Sequence, residues 1–536
     1  MNAETLFARF DALNSERQTF LSHWQEVADF VFPRRADFTT TRTPGEKRQT
    51  HIFDATGTNA LELLAAGLHG MATNPASRWF SLKLQNAELM ANTAVKRYLA
   101  DVEDIIFGYM HSPSSSITTH LHELYLDYAA FGTAVMFIGK AKNDNLLFQS
   151  RFLGECVIDE NAEGVVDTVI RCFKMTVRQC FQTWGEKCSD AIKKMHADGK
   201  VNEKVELLHA VCPREDHDYT KKDALNMPYA SIYMERKAKA VLNEGGFEEF
   251  PYAVPRWYKV SGEVYGRSPA MSALPDIKML QEMMKTTIKG AQKQVDPPLL
   301  VPDDGMLGPV RTVPGGLNFY RGEREITPLL TGGNLNISLE MMQDLRNRIM
   351  TTFFVDQLQM VGDAKMTATE VTQRTEERMR LLGPILGRME SELLGPIINR
   401  IFGLLLRMGK LPEQPEELDD QEWVVEYVSP IALAQRGQKV ERVLNALTIA
   451  GQMAAVADSG SPSLSRLKGD AILPWVFTEL NADPDLLEDD EAVAAKAQNG
   501  AMAAAAGPAA MAADAFAKVG QGAKSFAEAQ NAGTVQ

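Results

Sequence analysis

Two long amphipathic segments, separated by a stretch of turn residues, occupy positions 251–354 and set the terms for the rest of the chain. Pro251-Tyr252 and Pro255-Arg256-Trp257 lead into Tyr265-Gly266-Arg267-Ser268-Pro269. Ser268 fits a helix N-cap, and Pro269 fits the first helical position, where a missing N–H costs nothing. Pro275 is expected to kink or restart this helix. Ile277, Leu280, Met284, Ile288, Ala291 and Val295 then fall on one face, and Lys278, Lys285, Lys289 and Lys293 form a second stripe about 100° away. Asp296-Pro297-Pro298 stops the helix after roughly 30–40 Å, because a residue before proline is pushed out of the α region. Pro302-Asp303-Asp304-Gly305, Gly308-Pro309 and Val313-Pro314-Gly315-Gly316 are turn chemistry, with short strands expected over 317–320 and 326–330. Ser338 is expected to cap a returning helix that carries Leu339, Met342, Leu345, Ile349 and Phe353 on one face. Two such helices bury little by themselves, so they imply neighbours, and neighbours imply an assembly.

At 536 residues the chain exceeds one ordinary core and is expected to divide into modules. Its net charge is −14, whereas proteins that grip duplex DNA over their surface are normally basic. An acidic balance does suit DNA sliding past without a sticky hold. The five cysteines, Cys156, Cys172, Cys180, Cys188 and Cys212, are odd in number and lack paired close spacing, which reads as reduced structural thiols. No apolar run reaches the roughly 20 residues of a bilayer span, and the N-terminus, with Glu4, Asp11 and Glu16, lacks a signal-peptide core.

The periodicities predict an α+β body. Helices are expected over 3–32, 59–71, 94–109 and 116–131, and strands over 134–139, 146–151, 156–159, 165–175, 229–237 and 240–242. Thr367-Ala-Thr-Glu370 is a capping-box signature opening a long helix. Its apolar stripe is Leu382, Ile385, Met389, Leu393, Ile397, Ile401 and Leu405, bent at Gly383-Pro384 and Gly395-Pro396. Residues 412–422 form an acidic linker, 423–428 a strand, and 430–457 and 464–480 further helix. After Asp489 the Ala- and Gly-rich composition cannot supply a large core.

Enzyme chemistry finds no support in the residues. The phosphate-cradling G-x-x-x-x-G-K-[ST] loop is absent, as are a G-x-S-x-G elbow and an H-E-x-x-H pair. Asp54-Ala-Thr-Gly57 has one residue too many for an aspartic-protease turn and reads better as a helix-capping Asp or Thr. His120, His122 and Glu123 diverge on a helix, and Cys180, Cys188 and His196 have unusual eight-residue gaps for zinc. No metal ligand set, cofactor or catalytic residue is expected.

Several motifs together resemble the head-to-tail connecting, or portal, proteins of short-tailed bacteriophages. They are Phe53-Asp54-Ala-Thr-Gly57, Ser77-Arg78-Trp79-Phe80, Phe250-Pro251-Tyr252, Arg256-Trp257, Gly262 to Pro269, Pro297-Pro298, and Met366 to Val371. Arg256, Trp257, Tyr265, Gly266, Ser268, Pro269, Thr367 and Glu370 are the structural members of these motifs. The resemblance implies a non-enzymatic virion protein, assembled in the host cytoplasm as a ring of twelve around a double-stranded DNA channel at one capsid vertex. Its partners would be terminase, tail or adaptor, capsid and scaffold proteins, with no membrane. It further implies a wing at 1–265, a first stem helix at 266–295, a clip at 296–337 and a second stem helix at 338–355. A tunnel-loop region at 356–366, a long kinked helix and return to the wing at 367–430, a crown at 431–490 and a tail at 491–536 follow.

Under that scheme Lys285, Lys289 and Lys293 either touch passing phosphates or are paired with Glu340 and Asp344 or solvated. Gln357 and Lys365 lie near the tunnel segment. Arg311, Arg321, Glu323, Arg324 and Glu325 are docking residues of the clip, or else intersubunit ion pairs. The rival readings are another capsid or tail adaptor ring and, from the enzyme class, a packaging ATPase or nuclease.

Overall fold

The computed structural model describes residues 3–86, 92–295, 335–358 and 382–415, a few single positions excepted, with short further pieces at 299–300, 327–328, 423–427, 442–449, 472–473 and 475–477 and single residues at 89, 418 and 440. One compact unit comprises 1–82, 102–413 and 425–432, and a second comprises 83–101, 414–424 and 433–536. The elements in chain order begin with α1 (Ala3–Glu16), α2 (Gln18–Phe30), α3 (Thr56–Ala72), β1 (Phe80–Leu84), α4 (Thr93–Met110) and α5 (Ile117–Phe131). There follow β2 (Val135–Lys140), β3 (Leu146–Arg151), β4 (Cys156–Glu160), β5 (Val166–Thr176), α6 (Val177–Trp184), α7 (Asp190–Ala197), β6 (Lys204–Pro213), β7 (Tyr229–Glu235), β8 (Ala240–Phe247) and β9 (Tyr252–Ala253). The last are α8 (Pro269–Val295), β10 (Leu299–Leu300), β11 (Thr327–Pro328), α9 (Leu335–Thr352), α10 (Val355–Leu358), α11 (Gly395–Arg407) and β12 (Trp423–Tyr427). Mixed helix and sheet in separate runs make this an α+β protein, as the periodicities predict.

A five-stranded antiparallel sheet, ordered β4-β5-β6-β7-β8, forms the β-rich part of the larger unit. Its central strand β6 is absent from the sequence reading, for a physical reason: it is apolar on both faces, so its run does not alternate. Leu208, Ala210 and Cys212 join Leu6, Phe7 and Phe10 of α1 in one core cluster. Val205 and Leu207 point the other way, into a cluster with Val177, Cys180, Cys188 and Ile192 of the α6–α7 segment. The five cysteines are free thiols, and burial pushes Cys180 up to about 11, so it stays protonated and structural.

The run 3–32 is mainly helical, as expected, and divides into two helices at Arg17. The buried Arg17 guanidinium donates to the carbonyls of Leu153, Gly154 and Cys156, at 3.2, 3.0 and 2.6 Å. Those long-range acceptors decide the break and are invisible to helical periodicity. Three expectations need correction. Helix α8 runs through Pro275 without restarting, and Pro275 lies exposed, where the carbonyl it leaves unbonded can meet water. It starts at Pro269 with Ser268 as its cap, as those two residues predict, rather than at the 266 that bounds the expected first stem helix; Arg267 before it bridges Tyr258. Helix α9 begins at Leu335, one turn before Ser338, and ends at Thr352, so 335–352 replaces 338–355. The end is forced by Phe354, whose φ of +57° lies in the left-handed region.

The helix over 382–407 buries every residue of its expected stripe, from Leu382 to Leu405. A π-helical turn at Glu390–Leu394 lies directly before Gly395-Pro396. A widened turn accommodates a proline ring that would otherwise meet the preceding turn's carbonyl. Thr367 and Glu370 lie outside the described residues, as do the residues of the expected strand 317–320.

Candidate functional site: the root of the helical pair

The motif from Pro251 to Pro269 lays the chain against the start of β2 and folds it back on itself. Pairing of Met136 with Ala253 and Phe137 with Tyr252 continues as bridges between Thr133 and Arg256 and between Tyr258 and Arg267. Arg256 is 1% exposed. Its guanidinium donates to Glu392 at 2.7 Å, to Glu160 at 2.6 Å and to the carbonyls of Val264 and Gly164 at 3.2 and 2.7 Å. Its backbone N–H also donates to Glu392, at 2.8 Å. One arginine thus ties the root motif, the β4 end and the 382–407 helix together. Burial lowers its affinity for the proton, but Glu392 and Glu160 outweigh that and hold the guanidinium charged.

The neighbouring residues each have a defined task. Trp257 is buried against Tyr128, ring centres 4.9 Å apart, and its backbone N–H donates to the Gly132 carbonyl at 2.8 Å. The buried Tyr265 hydroxyl accepts from the Ile158 N–H at 3.2 Å while its ring meets Trp24 edge-on. Gly266 donates to Thr133 Oγ1 at 2.8 Å, and a Cβ there would sit 2.2 Å from the Gly132 carbonyl oxygen. Gly132 itself ends α5 at φ +73°. Two backbones therefore touch with no side chain between them. Ser268 Oγ accepts from Met271 N–H at 3.0 Å and donates to the Ala130 carbonyl at 2.7 Å, so it caps α8 and anchors it to α5 at once.

A second tie, which sequence reasoning missed, lies farther along α8. Gln281 accepts from the backbone N–H groups of Phe53 and Asp54 at 2.6 and 2.9 Å and donates to the Asp54 carbonyl at 2.7 Å. Arg346 of α9 donates twice to Asp54 Oδ2, at 3.0 and 2.8 Å, while Oδ1 takes the Thr56 N–H that opens α3. Burial pushes the Asp54 carboxyl up, but the hydrogen bonds from Thr56 and Arg346 prevail and hold it below the usual carboxylate range. Asp54 is a structural acceptor here, engaged on both oxygens. The readable signal was Gln281 itself, a polar residue in line with Ile277 and Leu274 on the apolar face.

Stability carried by this carboxylate is present above its unfolded pKa of about 3.9 and is lost as pH falls through the lower folded value. Asp54→Asn is therefore expected to cost about 1–3 kcal/mol at pH 7 and progressively less toward pH 2, measured by urea unfolding at each pH. A cost that grows on acidification contradicts the assignment.

Beyond Gln281 the burial of α8 ends. On the apolar face of α8, Ile288 is 40% and Val295 87% exposed, and on that of α9 Leu339 is 53% exposed. Closer to the root, Met342, Leu345, Ile349 and Phe353 are buried. Lys278 pairs with Glu26 of α2, and Lys285 with Glu282 at 3.1 Å, whereas Lys289 and Lys293 are exposed. Gln357 sits half-buried on α10, its Oε1 without a partner among the described residues. Lys365 and the five charged residues Arg311, Arg321, Glu323, Arg324 and Glu325 lie outside the described residues. Among the described residues no group of three or more His, Cys, Asp or Glu is arranged to hold a metal ion, and no helix is long and apolar enough to cross a membrane.

The family model for bacteriophage head to tail connecting proteins matches residues 3–487. The chain belongs to that family. It is 34% identical over 503 residues to a probable portal protein of Bordetella phage BPP-1, covering 91% of this chain and 89% of the relative. It is 31% identical to the portal protein of Salmonella phage epsilon15, covering 98% and 96%. A more distant likeness, 22% over 86% of this chain and 84% of the relative, is to the portal protein of Escherichia phage T7. A head-to-tail connecting protein is a structural component, and the root described above contains anchoring groups only.

Proposed function

We infer that this chain is a portal: a non-enzymatic ring at one capsid vertex through which the double-stranded genome is packaged, retained and ejected. One observation carries the reading. The apolar face that holds α8 to the body continues past Gln281, where the described residues leave it partly to fully exposed, and copies of the same chain arranged around an axis would cover it. Membership of the head-to-tail connecting family and relatives named portal proteins support the same conclusion. In this reading α8 and α9 are the stem, the chain between them is the clip, and β10 pairs with β11 at the clip's base. The five clip charges meet terminase during packaging and tail or adaptor proteins later. Gln357 and Lys365 flank the segment that narrows the channel. The ring holds twelve chains and enters the virion with capsid and scaffold proteins. Negative-stain electron microscopy of the purified full chain tests this: a ring with an axial hole is expected, and a population of isolated globules contradicts it.

Lys289 and Lys293, with Lys285 one turn earlier, form the positive stripe on the stem. Replacing all three by glutamine is expected to leave rings intact but to lower the amount of DNA packaged, or retained after packaging, several-fold. Unchanged packaging by intact triple-variant rings removes the stripe from the channel wall.

A further inference from the structure

A groove of about 720 Å³ opens beside the α6–α7 segment, lined by Arg151, Arg171, Lys174, Phe173, Trp184 and Tyr233 among others. Its charges do not balance. Arg171 is paired with Glu155 at 2.8 Å. Arg151 has no carboxylate partner among the described residues. Its guanidinium touches only the Gln149 side-chain oxygen and lies 5.5 Å from the centre of the Phe137 ring. Its Nε is buried without an acceptor. Burial and the nearby Arg171 push the group down from its ordinary value. Leaving a half-buried guanidinium without a counter-charge is costly, so folding alone gives no reason to keep it there.

The surroundings carry the same sign. Lys174 adds a third cation to the lining, and no Asp or Glu stands among the lining residues, in a chain whose net charge is −14. Around the recessed charge stand flat aromatic walls, with Trp184 and Tyr233 ring centres 5.3 Å apart. We propose that this groove is a docking site for an acidic segment of a partner protein, whose Asp or Glu carboxylate completes a paired fork with Arg151. A planar guanidinium matches a carboxylate through two parallel hydrogen bonds. The recess decides between polyanions. A slender acidic side chain on a flexible segment can reach the recessed guanidinium, whereas duplex phosphates are carried on a stiff, wide rod that cannot enter the recess.

The site stands apart from the stem and its test does not depend on ring formation. A fluorescein-labelled octaglutamate peptide is titrated into the full chain at low salt and followed by anisotropy. Arg151→Gln is expected to weaken binding about tenfold, Lys174→Gln less, and Lys200→Gln, beyond the groove, less than twofold. Thermal unfolding separates a binding role from a structural one: losing an unpaired buried charge should leave the Tm of Arg151→Gln unchanged or higher. Absent peptide binding, equal binding by Arg151→Gln, or a lowered Tm overturns the proposal. Tighter competition by a 30-base-pair duplex at the same site also overturns it, in favour of nucleic acid.

Discussion

Arg256→Met is expected to cost about 3–5 kcal/mol of folding stability, the range for removing one partner of a buried ion pair. The guanidinium is 1% exposed and its two carboxylate partners are mostly buried, so solvent screens the pair little. The loss should be unequal. Glu160 keeps Lys259 at 2.7 Å, whereas Glu392 retains only Arg388, at 3.5 Å, as a cationic partner, besides the backbone N–H of residue 256. Glu392 is therefore the less compensated of the two, and adding Glu392→Leu to Arg256→Met should restore part of the stability. Urea unfolding of the two single variants and the double variant measures this. A single-variant cost below about 1 kcal/mol, the scale of an exposed pair, shows that Arg256 does not hold the root together.

The second large effect is expected at Gly266. Alanine there places a methyl carbon 2.2 Å from the Gly132 carbonyl oxygen and 2.9 Å from the Trp257 nitrogen. Both obstacles are backbone, so neither can rotate away, and a cost of about 3 kcal/mol is expected. Gly132→Ala meets the same contact from the other side, 2.6 Å from the Gly266 oxygen, and adds strain of about 1–2 kcal/mol at its left-handed φ. Because the two substitutions open one contact, the double variant should lose less than the sum. Strict additivity in chemical denaturation would mean that the two glycines act independently.

The contrast between these two sites explains how much the residues reveal by themselves. Ser268-Pro269 is a local device, and its capping role follows from chemistry within one helical turn. The stripe from Leu382 to Leu405 is local too, because burial follows the 3.6-residue period. The partners of Arg256 are another matter: Glu392 lies 136 residues away, and no spacing rule connects them. The same holds for Gln281 and Asp54, 227 residues apart. Central strand β6 was hidden by being buried on both faces, and the division of α1 from α2 at Arg17 was hidden because the groups that set it belong to 153–156. Periodicity reports which side of an element faces the core. It does not report which distant group waits there.

The apolar face of α8 is where the sequence and the fold press hardest on function. Periodicity runs unbroken from Ile277 to Val295, while burial stops at Gln281. Native mass spectrometry of the purified full chain is the most direct measurement. The account predicts a single closed oligomer of the 59.3 kDa chain, with twelve copies, at micromolar concentrations. A monomer at every concentration, with hydrogen exchange showing the 282–295 face protected within that monomer, would contradict it.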